Sequence, residues 1–225
     1  MKQNREKLIY FGITYLLFAG ILLTGMIFRS KPDLHLLLTG YHTPFLDMFF
    51  RYFTEVGSFI PFVVGAMFVL HRFGSALFIL VTQLVNALMT NSLKLLFGMP
   101  RPKTYFAMNF PDIVLHQVEG VTMHAWHSFP SGHASSAFAL MTCIMLITGN
   151  KQLSVLYCIV AILAAYSRIY LSQHFAEDVL AGSFTGIVYA LVLFTLYRYM
   201  ISHYRWWNNK LIIQITLPPP EEVDF

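Results

Sequence analysis

The sequence predicts an all-α polytopic membrane protein: a six-transmembrane-helix bundle with one interfacial helix and a long extracytoplasmic loop. Three observations carry that expectation. The chain of 225 residues is 56% hydrophobic and only 12% charged, whereas a soluble globular chain carries about 25% charged residues. Its mean hydropathy is +0.59. The apolar residues gather in runs of roughly 18 to 24, long enough to cross about 30 Å of hydrocarbon as helix. Lipid offers no partner to an open backbone N–H or C=O, so such runs fold as a helical bundle. No cleavable signal peptide is expected, because the first run is span-length and lacks a small-residue cleavage site.

In chain order, Lys2, Arg5 and Lys7 precede a first span from Leu8 to Phe28. Between Arg29 and Phe53 the chain is mixed, with Pro32, Gly40 and Pro44 punctuating it. Phe45, Leu46, Phe49, Phe50 and Phe53 then recur at helical spacing, which predicts an amphipathic helix in the interface or packed on its own bundle. A second span covers Val56 to Leu70 and turns at His71-Arg72. The third, Ser75 to Phe97, carries Gln83, Asn86, Asn91 and Lys94 at three- to five-residue steps, a polar stripe that faces the bundle. Gly98 and Pro100 end it.

From Gly98 to Pro130 no periodicity is sustained, and a connection this long inside a compact domain is usually functional. It holds Tyr105, Phe106, Trp126 and three histidines, His116, His124 and His127. Each histidine alone reads as a surface residue, but together with the aromatics they predict an ordered, ligand-facing loop. Ser131 to Thr148 is the fourth span, Gly149 to Lys151 a turn, Leu153 to Leu171 the fifth, and Asp178 to Met200 the sixth. Gly182 and Gly186 form a small-xxx-small pair suited to close helix approach. The bundle is expected to occupy residues 1–200. Residues 201–225 form a cytoplasmic tail with Arg205, Lys210, the interface anchors Trp206 and Trp207, and Pro218-Pro219-Pro220 before an acidic end.

Charge sets the orientation. Lys2, Arg5, Lys7, Arg72, Lys151, Arg198, Arg205 and Lys210 fall on the side of the termini, and Arg29, Lys31, Arg51, Lys94, Arg101, Lys103 and Arg168 on the other. Three of the latter belong to a polar cluster, so the positive-inside rule puts both termini in the cytoplasm and that cluster outside it. The formal charge of +4 is scattered among spans without a basic run, which excludes a nucleic-acid partner. Cys143 and Cys158 lie inside apolar runs as packing residues. Asp112, Glu119 and Glu177 have no ligand-like spacing, so no metal and no cofactor are expected.

Alternating spans bring three segments to one membrane surface: Lys94 with Arg101-Pro102, then Pro130-Ser131-Gly132-His133, then Ser167-Arg168 with His174 and Asp178. Cations are costly there, and three of them call for an anion of more than one charge. Ser131 suits an N-cap, and Gly132 opens the helix start, where free N–H groups bind anions. Phosphate fits this set better than carboxylate. His174 and Asp178 are four apart, so the carboxylate can accept a ring N–H and fix the free nitrogen of His174. One imidazole can then attack phosphorus and the other protonate the leaving oxygen; His174 suits the first task and His133 the second.

Lys94-x6-Arg101-Pro102, Pro130-Ser131-Gly132-His133 and Ser167-Arg168-x5-His174-x3-Asp178, in that order, resemble the three-part signature of the type 2 phosphatidic acid phosphatase superfamily. That superfamily includes membrane lipid phosphatases and the vanadium haloperoxidases. The signature spans Lys94 to Asp178, and the six-span layout extends it to Leu8–Met200. The resemblance implies a metal-independent phosphatase with the nucleophile at His174, the acid at His133, and phosphate bound by Lys94, Arg101, Ser131, Gly132 and Arg168. It further implies a lipid phosphate substrate in a phospholipid bilayer: undecaprenyl pyrophosphate, phosphatidylglycerol phosphate or a phosphate of lipid A. A bacterial inner membrane with a periplasmic site would suit it. Two alternatives stand beside it, a lipid phosphotransferase and a non-enzymatic lipid or anion transporter. The second would need deep polar residues in several spans, and here they are confined to the third. Oligomeric state is left open.

Overall fold

The computed structural model describes residues 2–148 and 150–203, so the features expected at Arg205, Trp206, Trp207, Lys210 and Pro218–Pro220 lie outside the described residues. The described residues form helices α1 (Lys2–Phe28), α2 (Lys31–Leu38), α3 (Pro44–Phe53), α4 (Ile60–His71), α5 (Phe73–Phe97), α6 (Pro102–Asn109), α7 (Gly132–Thr148), α8 (Lys151–Tyr170) and α9 (Ala176–His203). No strand occurs among them.

Local signals explain the ends. Thr43 caps α3 by accepting from Leu46 N–H at 3.2 Å, and Pro44 stands in the first turn where its missing N–H costs nothing. Asn150 Oδ1 caps α8 by accepting from Gln152 and Leu153. Gly98 closes α5 in the left-handed region (φ 55°), where L side chains are strained.

Three elements depart from the sequence expectation. Helix α2 occupies a stretch read as mixed: Pro32 lies in its first turn rather than breaking it, and Ser30 accepts from Asp33 N–H at 3.3 Å. Helix α6 occupies the start of the loop expected after Gly98. The second apolar run, expected from Val56, begins instead as a 3₁₀ turn (Thr54–Gly57), with α4 starting at Ile60. The two parts, Pro44–Gly57 and Ile60–Val69, meet at 49°. A Cβ at Gly57 would overlap the backbone carbonyl of His133, so this turn is pressed against the start of α7.

Among the described residues, four segments are long and apolar enough to cross a membrane: Arg5–Phe28, Phe73–Asn109, Lys151–Tyr170 and Ala176–His203. The bent pair makes a fifth if counted as one span, and α7 is a shorter apolar helix of 17 residues.

Helix α7 forms the centre. Ala134, Ala137, Phe138, Leu140 and Cys143 are fully buried against α5, α8 and α9. Both cysteines are free and buried. A Cβ at Gly182 would overlap the Ser131 carbonyl, and one at Gly186 the Ser135 carbonyl. Lipid supplies no hydrophobic force between helices, so such close approach is what holds them. The polar stripe of α5 faces α7: Gln83 accepts from Ser136 Oγ at 2.7 Å, and Asn86 Oδ1 accepts from Ser135 Oγ. Asn91, expected in that stripe, is exposed, and Thr90 is buried in its place. Positions 83, 86, 90 and 94 share a helix face at steps of three and four, and Asn91 is turned off it.

Gly186→Val forces α9 away from α7 and is expected to destabilise the protein by about 1–3 kcal/mol. A melt of the purified variant with an unchanged Tm would contradict the packing.

Candidate active site

The cation cluster is built from α5, the start of α6 and the end of α8. Lys94, in the last turn of α5, stands beside the first residue of α7: a Cβ at Gly132 would lie 3.4 Å from its Nζ. Arg101 N–H donates to Ala125 O (2.9 Å), and Ser128 N–H to Met99 O (3.0 Å), so the long loop is tied back on itself at its neck. The Arg101 guanidinium donates through Nε to Trp126 O (3.1 Å) and through Nη1 to Gln173 Oε1 (3.1 Å). Gln173 Nε2 donates in turn to Thr122 O (3.1 Å). Arg168 is 6% exposed, donates through Nη1 to Thr54 Oγ1 (2.7 Å), and keeps a buried Nε without a partner among the described residues. Arg101 and Arg168 are thus fixed by neutral acceptors, and the cluster stays positive.

The start of α7 completes the cradle. Ser131 is fully buried; its Oγ accepts from Ala134 N–H at 3.4 Å, and its own N–H donates to Asp178 O at 2.9 Å. The N–H groups of Gly132 and His133, the first two of the helix, have no intrahelical acceptor to reach and point with the positive end of the dipole. His133 is half-buried in this turn.

His174 lies in the tight connection between α8 and α9. Gln173 N–H and His174 N–H both donate to Arg168 O, at 2.9 and 3.1 Å, so the histidine is folded back over the arginine. Ser172 has φ 49°. Its Oγ lies 3.2 Å from Nε2 of His35, a buried imidazole on α2 ringed by Phe106 and Phe175. Burial pushes His35 down to about 4, so it stays neutral. His174 is 1% exposed, and burial, followed by Arg101, Arg168 and Lys94, holds its pKa well below 6.5. All three cations therefore act on this one ring.

Asp178 meets His174 less directly than the spacing predicts. Asp178 Oδ2 is 3.4 Å from His174 Nδ1, but it accepts from Ser128 Oγ at 2.5 Å and from Phe175 N–H at 2.9 Å. Ser128 Oγ lies 3.4 Å from the same ring nitrogen. Asp178 thus caps α9 in the manner of a capping box and holds Ser128 against His174. Sequence reasoning missed Ser128, Gln173, Thr54 and His35. Only the acid at the third position of α9 was a readable signal.

The loop residues divide. His124, Trp126 and His127 line a cavity of about 350 Å³ with Asn91, Lys94, Leu95 and Arg101. His124 is shifted downward by burial and by the same three cations. Tyr105 packs edge-on against Phe175, and Phe106 is 1% exposed and packed against His35. His116 lies elsewhere. With His42 and Asp47 it forms a group whose ligand atoms all fall within 4.8 Å, enough to hold a metal ion. Sequence spacing does not reveal this group, because His116 lies 69 residues from Asp47. Asp47 accepts from Tyr170 and contacts both imidazoles at 2.9–3.0 Å.

Fold and site together define a helical membrane protein with a buried polycationic cradle beside a neutral imidazole. The PAP2 superfamily model matches residues 75–202, and the chain belongs to that superfamily. Its relatives include a lipid A 4'-phosphatase of Porphyromonas gingivalis, 26% identical over 80% of this chain and 77% of that protein. A lipid A 4'-phosphatase of Bacteroides thetaiotaomicron is 28% identical over 71% of this chain and 74% of that protein. The crystal structure of Aquifex aeolicus LpxE is similar at TM-score 0.63 and 26% identity, covering 75% of this chain and 96% of that one. A PAP2-type phosphatidylglycerolphosphate phosphatase from Bacillus subtilis shares the fold at TM-score 0.62 and 20% identity, over 86% and 97% of the two chains. The protein is a membrane phosphatase of the PAP2 superfamily.

Ser128→Ala removes a hydrogen bond to a carboxylate and the contact with His174. It is expected to lower kcat by roughly 10- to 100-fold with little change in KM. A steady-state comparison showing full kcat would leave Ser128 without a role.

Proposed function

We propose that the protein releases phosphate from a membrane lipid without a metal, through a phosphohistidine on His174. The observation that carries this reading is the setting of His174: a buried imidazole kept neutral by burial and three cations, with Nδ1 turned to Ser128 and Asp178. Nε2 is then the nitrogen left for attack. It forms a bond to phosphorus as the bond to the lipid oxygen breaks, and His133 gives that oxygen its proton. Water then attacks phosphorus, the P–N bond breaks, and the proton of water goes to His133. Lys94, Arg101, Arg168 and the free N–H groups at Gly132 and His133 stabilise the equatorial oxygens.

The substrate we favour is a phosphate on the sugar of lipid A. The two relatives named as lipid A 4'-phosphatases and the similarity to LpxE support it. So does the mouth of the site, where Asn91, His124, Trp126 and His127 offer polar and aromatic contacts to a sugar. Topologically, the bent pair and α7 complete six spans; at about 26 Å, a 17-residue helix is near the required length. Both termini are cytoplasmic and the cradle faces the periplasm. An impermeant maleimide should label Asp112→Cys, and not Lys151→Cys, in intact spheroplasts.

His174→Ala is expected to abolish phosphate release, and His133→Ala to reduce it by roughly 10²- to 10⁴-fold. Release should persist in EDTA. Measured against lipid A, phosphatidylglycerol phosphate and undecaprenyl pyrophosphate, the highest kcat/KM is expected for lipid A. Undiminished turnover by His174→Ala would remove the mechanism, and ³²P found on an acceptor lipid would make the enzyme a transferase. Because the pKa of His174 is lowered, the ring stays deprotonated as pH falls through 6.5. The acid limb of kcat/KM belonging to His174 should therefore lie below pH 6.5, and a limb above it would contradict the assignment.

A further inference from the structure

At the end of the bundle opposite the cradle, a cavity of about 590 Å³ lies among α1, α7 and α9. It is lined by Arg5, Lys7 and Arg198, together with Leu8, Leu146, Ile147, Phe194 and Tyr197. Three cations border it, and no acid does among the described residues. Glu6, between two of the cations in sequence, is turned to Lys151 Nζ at 3.0 Å. Lys7 is 3% exposed, and its ammonium donates to Leu146 O at 2.8 Å. That bond meets a carbonyl at the C-terminal end of α7, where a cation is favoured. An ammonium has three donors, and this contact uses one. Neither Arg5 nor Arg198 forms an ion pair among the described residues. A buried cation without a counter-charge is costly, and one anion reached by all three would lower that cost.

The walls decide which anion. Leu8, Leu146, Ile147 and Phe194 are hydrocarbon, and Leu8 belongs to a helix whose Ile9, Ile13 and Leu16 are more than half exposed along a membrane span. A free phosphate would leave these walls unmatched. A phosphodiester carrying acyl chains satisfies both parts, since basic pockets between membrane helices bind anionic headgroups. We infer that this cavity binds the phosphate of an anionic phospholipid, seated on Arg5, Lys7 and Arg198, and so ties α1 to α9. The lipid is a structural ligand. It is not the substrate, and the site is independent of the reaction proposed above.

The test uses the full chain in dodecyl maltoside, melted with phosphatidylglycerol, phosphatidylcholine or inorganic phosphate. Phosphatidylglycerol is expected to raise Tm by roughly 5 °C at saturation. Phosphatidylcholine and inorganic phosphate should do much less. Arg5→Gln with Arg198→Gln should lose the increment while phosphate release is unchanged; both side chains are exposed, so folding is preserved. Arg101→Gln, in the cradle, should keep the increment. Native mass spectrometry should show one retained phosphatidylglycerol on the wild type and none on the double variant. An equal shift in the double variant, or loss of the shift in Arg101→Gln alone, would overturn the site. An equal shift with inorganic phosphate would overturn the lipid. A shift seen only when Glu221, Glu222 and Asp224 are neutralised would assign the cavity to the chain's own acidic end.

Discussion

The structure depends on how near α7 and α9 come to each other. Carbonyls of Ser131 and Ser135 stand where side chains of Gly182 and Gly186 would begin, and Ser131 N–H reaches Asp178 O at 2.9 Å. Because lipid gives helices no hydrophobic reason to associate, direct contact and hydrogen bonds have to supply the attraction. The consequence is geometric. His133 sits in the first turn of α7, and His174 lies four residues before Asp178 in the first turn of α9. Locking those two turns together puts both imidazoles at one end of the bundle.

Around them the protein tolerates concentrated positive charge by a consistent device. Arg101 is held by Trp126 O and Gln173, and Arg168 by Thr54, all neutral acceptors. The nearby carboxylate, Asp178, is engaged by Ser128 and by Phe175 N–H. Acids placed against the guanidiniums would have cancelled the charge of the cluster. Neutral acceptors fix the direction of each side chain while leaving its charge uncancelled, a form of electrostatic preorganisation. Lys7, held by a carbonyl at the other end of α7, follows the same pattern.

A second ring of contacts keeps the loops in register. The connection between α5 and α7, residues 98–131, is closed at its neck by Arg101 N–H to Ala125 O and Ser128 N–H to Met99 O. Gln173 joins it to the connection before α9 by holding Arg101 with one end of its amide and Thr122 with the other. His35 reaches Ser172 from α2. The neutral imidazole at position 174 thus lies in an enclosed connection, with its ring held by Ser128 and Asp178. Its low pKa follows from that enclosure as much as from the cations.

Much of this was legible in the chain. Run length and polarity identified the membrane helices, and the order of Lys94, Arg101, Pro130–His133, Arg168, His174 and Asp178 pointed to phosphate, because cations near hydrocarbon need a reason to be there. Helix α2 was misread because a proline in a first turn looks, in sequence, like a breaker. The contact of Asp178 with Ser128, and the meeting of His42, Asp47 and His116, were unreadable. Those partners are 50 and 69 residues apart, and no local periodicity records such distances. The sequence by itself determined which charged and titratable residues would gather and at which end of the bundle, since helical spacing and hydropathy are properties of neighbours along the chain. Only the tertiary structure decided which atom accepts from which, because that depends on how closely two helix backbones can approach.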